Sequence, residues 1–231
     1  MRKILALAPV MADESEIKTL ALSLHFLENQ YQIDFLDPLS DGFGESNELY
    51  FQIWQQKLAA CQKDYDAFIG FSLGGVILQQ ALSLFNDLNK PLFLFSTPSF
   101  ADKELKAKLN QVISLAKEKR VAEALEALYS NVFIHEIPAL CLSVNDEERA
   151  SKRLAFGLNI VAEADSRPYL DAYPNNYLVF IGALSQLVNQ KNIAVKPSSL
   201  VVVPHAGMRV LQDNANYCQK IILDRLNETV N

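Results

Sequence analysis

One segment limits the folds open to this chain more than any other. Tyr65-Asp66-Ala67-Phe68-Ile69 has the length and apolar content of a buried strand. Gly70-Phe71-Ser72-Leu73-Gly74-Gly75 is a glycine-rich turn, and Val76 to Leu82 follows as a good helix former. A strand that passes into a helix through so short a turn is half of a strand–helix–strand crossover. Glycines two places either side of Ser72 are needed because Cβ atoms there would collide with neighbouring backbone. The turn lifts the serine hydroxyl above the sheet, beside the helix N-terminus. A phosphate-binding loop is disfavoured, since no Lys-Ser/Thr follows and no Gly-x-Gly-x-x-Gly is present.

The rest of the chain repeats this alternation. Short apolar runs of strand length fall at 3–9, 31–36, 65–70, 91–96, 177–182 and 199–203. Near-continuous apolar runs suit strands covered on both faces, as in a parallel sheet. Between them, Ile17, Leu20, Ala21, Leu24 and Leu27 mark one helix face, and Val210, Leu211, Ala215, Cys218, Ile221 and Ile222 mark another. The expectation is an α/β fold with a mostly parallel sheet of about six strands and helices on both faces. From about 100 to 170 the rhythm breaks. Leu105, Leu109, Val112 and Ile113 begin a helix, Val121, Leu125 and Leu128 continue, and 146–160 reads as a further one. A core of 1–99 and 171–231 carrying a helical lid at 100–170 is therefore expected, the lid lying over a site at the strand C-termini. The alternative is a helical layer packed only for stability.

Bulk properties narrow the chemistry. The 231 residues carry a formal charge of −6, so the whole molecule has no electrostatic pull toward nucleic acid. Cys61, Cys141 and Cys218 are too scattered for a disulfide framework or a cysteine zinc site and suit a reducing cytoplasm. His25, His135 and His205 form no His-x-x-x-His pair, so no metal centre is expected, and the serine chemistry described below implies no organic cofactor. Residues 1–11 faintly imitate a signal peptide, but the apolar stretch is short and Asp13-Glu14 follow at once. No run approaches the ~18 apolar residues of a membrane span.

A serine hydroxyl is a weak nucleophile until a base takes its proton. His205, in Val203-Pro204-His205-Ala206-Gly207 directly after the last strand, is the candidate base. Its position after Ser72 in the chain, at the same sheet edge, agrees with that role. His25, on a helix, and His135, in the insertion, read as structural.

Several segments resemble the pimeloyl-[acyl-carrier-protein] methyl ester esterases of biotin synthesis, within the α/β-hydrolase superfamily. Phe35-Leu36-Asp37-Pro38 with Gly42-Phe43-Gly44-Glu45-Ser46 is similar to a strand and loop of that family. Ser96-Thr97-Pro98-Ser99-Phe100 resembles the start of its lid, and Gly157-Leu158-Asn159-Ile160 with Ala164-Asp165-Ser166-Arg167-Pro168-Tyr169-Leu170 resembles the lid's end. The resemblance implies a cytoplasmic serine carboxylesterase: Ser72 attacks the ester carbonyl, His205 moves the proton, and the amides of Leu73 and Val10 hold the oxyanion. By the same resemblance Phe71, where the family has a bulky indole, lines an acyl pocket, the alternative being simple packing. Likewise Arg149, Lys152 and Arg153 grip an acidic acyl carrier protein, the alternative being a solvated helix face. Two departures stand out. At the family's acid position the chain has Ser185, and losing that carboxylate can cost ~10⁴ in rate; Asp102 and Asp213 are the other acids to weigh. Ala8-Pro9-Val10 replaces the family's His-Gly-Trp. A generic esterase or acyl-thioesterase, and a binding protein of this fold that has lost catalysis, both remain open.

Overall fold

The computed structural model describes residues 1–40, 46–86, 88, 90–173 and 177–228. Six strands form one sheet: β1 (Arg2–Leu7), β2 (Tyr31–Leu36), β3 (Ala67–Phe71), β4 (Leu92–Phe95), β5 (Tyr177–Gly182) and β6 (Leu200–Val203). All neighbours run parallel, in the order β2-β1-β3-β4-β5-β6. The chain goes outward from β1 to β2, then returns to the other side of β1 for β3. The order therefore reverses between β1 and β3, and the crevice beyond the C-terminal ends of those two strands is where open parallel sheets bind ligands.

The alternation of side chains along each strand explains why these runs are apolar throughout. Leu5, Leu7, Phe68, Leu92, Leu94, Val179 and Ile181 share one core layer with α2 (Asn47–Cys61) and α3 (Leu73–Gln80). Ile4, Ala6, Ala67, Ile69, Phe93, Phe95 and Phe180 point the other way, onto α1 (Ile17–Ser23), α8 (Val210–Asp213) and α9 (Ala215–Glu228). Both faces are covered, so neither set of side chains can be polar. β1 stops at Leu7, short of the expected run to residue 9, because Pro9 has no N–H to extend the ladder. The single helix expected across 210–222 is broken at Asn214, whose backbone turns to φ −144°, ψ 68°.

Between β4 and β5 lie α4 (Lys103–Lys117), α5 (Val121–Val132), α6 (Glu147–Glu163) and α7 (Arg167–Ala172). The carboxylate of Asp102 caps α4 by accepting from Leu105 N at 2.8 Å, and Asp146 caps α6 from Arg149 N at 2.9 Å. Leu105, Leu109, Val112, Ile113 and Ala116 form the buried stripe of α4. The two ends of the insertion meet where Ser166 N donates to Ser99 O at 2.7 Å, beside a bridge between Phe100 and Asp165. Of the loop after β2 that carries part of the family resemblance, residues 42–45 lie outside the described residues; Ser46 caps α2 by accepting from Leu49 N at 3.2 Å.

Candidate active site

The turn after β3 has the geometry its glycines require. Ser72 adopts φ 45°, ψ −109°, a conformation that a residue with a side chain takes only when its surroundings enforce it. The enforcement is visible. Ser72 N donates to Phe95 O at 2.9 Å, and Gly74 N donates to Ala8 O at 3.1 Å, which draws the loop after β1 against the start of α3. A Cβ on Gly70 would lie 2.5 Å from Gly75 Cα, and one on Gly74 would strike the Leu7 carbonyl. Gly74→Ala is accordingly expected to destabilise the fold by roughly 1–3 kcal/mol, because the obstacle is backbone and cannot rotate away. A lowered urea midpoint with an unchanged slope would show this. From Ala67 to Leu82 every residue is buried except Ser72.

Ser72 opens on a cavity of about 690 Å³ at the strand C-termini, within the range of small-molecule sites. The floor includes Phe71 and Phe95, whose rings stack at 5.0 Å. Leu105 and Leu109 of α4, Leu128 of α5 and Leu158 of α6 form the roof. The helical insertion is therefore one wall of the cavity. Val10 lines it as well. The amides of Val10 and of Leu73, the first residue of α3, have no acceptor among the described residues. Leu73 N lies at the positive end of α3, although Leu73 is fully buried and does not itself line the cavity.

The base is where expectation and structure part. His205 is exposed and lies outside the cavity wall, and no hydrogen bond joins it to Ser72 among the described residues. The reason is the shape of the loop after β6. His205 takes φ 58°, and the residues around it are tied down. Asn214 Nδ2 donates to Pro204 O at 2.9 Å, Leu184 N to Ala206 O at 2.8 Å, and Gly207 N to Asp213 Oδ2 at 2.8 Å. The loop thereby turns Met208 into the cavity in place of His205. Met208 is held from both sides: Ser96 Oγ donates to its carbonyl at 2.7 Å, and Val188 N approaches its sulfur at 3.4 Å. The sequence carries a signal for this. Gly182 leaves room for the loop, since a Cβ there would meet the Ala206 and Gly207 carbonyls, and a Cβ on Gly207 would lie 2.5 Å from Ile134 Cγ2.

Among the described residues none of the three acids or acid surrogates makes a hydrogen bond or ion pair with His205. Asp102 is spent on the α4 cap, and Asp213 on Gly207 N. Ser185 Oγ is buried with no hydrogen-bond partner, on the loop between the Leu184–Ala206 and Val188–Met208 ties.

Of the basic residues expected to meet a carrier protein, Arg153 needs correction. Its side chain is 1 % exposed. Nε donates to Met11 O at 2.7 Å, and Nη2 lies 3.0 and 2.9 Å from the two Asp37 carboxylate oxygens. It fastens α6 to the loops after β1 and β2, and a partner cannot touch it. Arg149 and Lys152 do reach the surface, paired with Glu14 at 2.9 Å and Glu148 at 2.7 Å. Among the described residues no three His, Cys, Asp or Glu side chains are grouped to hold a metal ion, and no helix is long and apolar enough to cross a membrane.

No family model and no curated sequence matches the chain. Solved structures do. An esterase from Exiguobacterium antarcticum superposes with TM-score 0.72 at 18% identity, covering 98% of this chain and 92% of its own. MGS-M2, an α/β-hydrolase enzyme from a Medee basin deep-sea metagenome library, gives 0.75 at 11% identity, covering 98% and 89%. MenH from S. aureus gives 0.70 at 15%, covering 99% and 95%. At such identities the likeness is one of architecture. Sheet order, the strained serine turn and these superpositions together establish that the chain has the α/β-hydrolase fold.

Proposed function

We propose that this chain is a binding protein built on the α/β-hydrolase fold. Its cavity takes an apolar acyl compound and seats the acyl carbonyl against Ser72 and the amides of Val10 and Leu73. Chemistry stops there for want of a base. A single observation carries this reading: the loop after β6 presents Met208 to the cavity, while His205 faces solvent. A thioether has no basic site for a proton, so the Ser72 hydroxyl stays a weak nucleophile. The expected result is that wild type hydrolyses p-nitrophenyl butyrate no faster than Ser72→Ala, while octan-1-ol raises the melting temperature of both. Wild-type turnover roughly 100-fold or more above Ser72→Ala, the size of a working general base, would overturn it.

A second reading is favoured by the φ of 45° at Ser72, since strain of ~1–3 kcal/mol is needless in a site that only binds. In that reading the chain is a serine carboxylesterase. The loop after β6 rearranges, His205 takes the Ser72 proton, and water clears the acyl-enzyme. By resemblance the substrate is the methyl ester of a pimeloyl chain on acyl carrier protein, or a simpler ester or thioester. Arg149 and Lys152 are the surface cations left for an acidic carrier. Covalent labelling of wild-type Ser72 by a fluorophosphonate supports this reading and refutes the first.

A further inference from the structure

Seven arginines lie among the described residues, and six of them donate to an acceptor. Arg2 donates to the Tyr31 hydroxyl; Arg120, Arg149, Arg153, Arg167 and Arg225 donate to carboxylates. Arg209 is the exception. It follows Met208 directly, is only half-buried, and lines the cavity. Its guanidinium lies 4.4 Å from the centroid of the Phe133 ring, a contact that takes none of its five N–H donors. No ion pair or side-chain hydrogen bond engages it among the described residues.

The acids on the same wall do not neutralise it by contact. Asp13 accepts from Ser15 N at 2.8 Å. Glu16 accepts from Asp13 N through Oε1 at 3.0 Å and from the Tyr129 hydroxyl through Oε2 at 3.0 Å. Burial, with the Glu16 carboxylate next, pushes the Tyr129 phenol well above its ordinary range, so it remains the donor in that pair. These carboxylates hold the first turn after β1 against α5 and leave the guanidinium unmet. A rigid planar fork with no protein acceptor, at the wall of an apolar cavity, matches a carboxylate bidentately.

We infer that the acyl compound taken by this cavity carries a carboxylate, and that Arg209 holds it. The inference rests on the cavity being a binding site for apolar chains, as proposed above. Octanoate and octan-1-ol share a chain and differ in the charged group, so calorimetric titration of both separates the two ideas. Octanoate is expected to bind wild type roughly 10- to 100-fold more tightly than Arg209→Gln, the span of one charge-assisted contact. Octan-1-ol should bind both alike, which also shows that the variant is folded. Lys18→Gln, which removes the exposed cation at the cavity rim, should leave octanoate affinity unchanged. Equal octanoate affinity in wild type and Arg209→Gln overturns the assignment while leaving the cavity as a chain-binding site. So does an equal loss in Lys18→Gln, which would mark diffuse attraction. Failure of wild type to bind octan-1-ol overturns the binding reading itself, and the carboxylate assignment with it.

Discussion

Met208→His is expected to switch on ester hydrolysis. The substitution places an imidazole on the wall that Ser72 faces, at one of the two positions, 208 and 209, that the loop after β6 turns inward. A positioned general base contributes about 10²–10⁴ in rate, so kcat/KM for p-nitrophenyl butyrate should rise at least ~100-fold above wild type. The activity must vanish when Ser72→Ala is added. It must also fall as pH drops through the histidine range near ~6.5, because only the neutral ring accepts a proton. Adding Ser185→Asp should raise the rate further. The Ser185 hydroxyl is already buried without a partner on the neighbouring loop, and a carboxylate there would orient the ring and stabilise its charged form. The same charge raises the ring's pKa, so the lower limb of the pH profile should move to higher pH. A folded Met208→His variant no faster than Ser72→Ala/Met208→His would refute the placement of the base position.

Arg153→Met is expected to be the most destabilising single change in the lid. The side chain is matched to Asp37 and to the Met11 carbonyl, with almost no access to water. Removing the cation strands a buried carboxylate, and breaking one side of such a pair typically costs ~3–5 kcal/mol. For a chain of this size that corresponds to a drop in Tm of roughly 6–20 °C. Arg149→Met on the same helix breaks only the exposed pair with Glu14 and should cost no more than ~1 kcal/mol. Arg153→Met combined with Asp37→Asn should lose less than Arg153→Met alone. The amide oxygen still accepts from Leu39 N, which lies 2.9 Å from Asp37 Oδ1, and no buried charge is left unpaired. Equal effects of Arg153→Met and Arg149→Met would show that burial of the pair has no bearing on stability.

Most of the architecture was legible because it rests on local periodicity. Six apolar runs of strand length announced six parallel strands, and the Gly70 to Gly75 turn fixed which one carries the serine. The helical interval between β4 and β5 followed from stripes such as Leu105, Leu109, Val112 and Ile113. The candidate site was less legible. His205 has the chemistry a serine needs, yet whether a loop residue faces a cavity depends on backbone turns that residue type does not encode. Arg149, Lys152 and Arg153 look alike in a run of charges. Helical phase buries Arg153 against Asp37 and leaves the other two at the surface.

The amino-acid sequence by itself determined the layer order of this protein and the strained seat of Ser72, because periodicity and glycine sterics act over a few neighbouring residues. Only the tertiary structure decided that Met208 and Arg209, not His205, complete the cavity wall. That choice is made by hydrogen bonds that Leu184, Ser96 and Asn214 donate to the loop and one that Asp213 accepts from it; Leu184 and Ser96 are distant in the chain, and they meet the loop only once the sheet has packed.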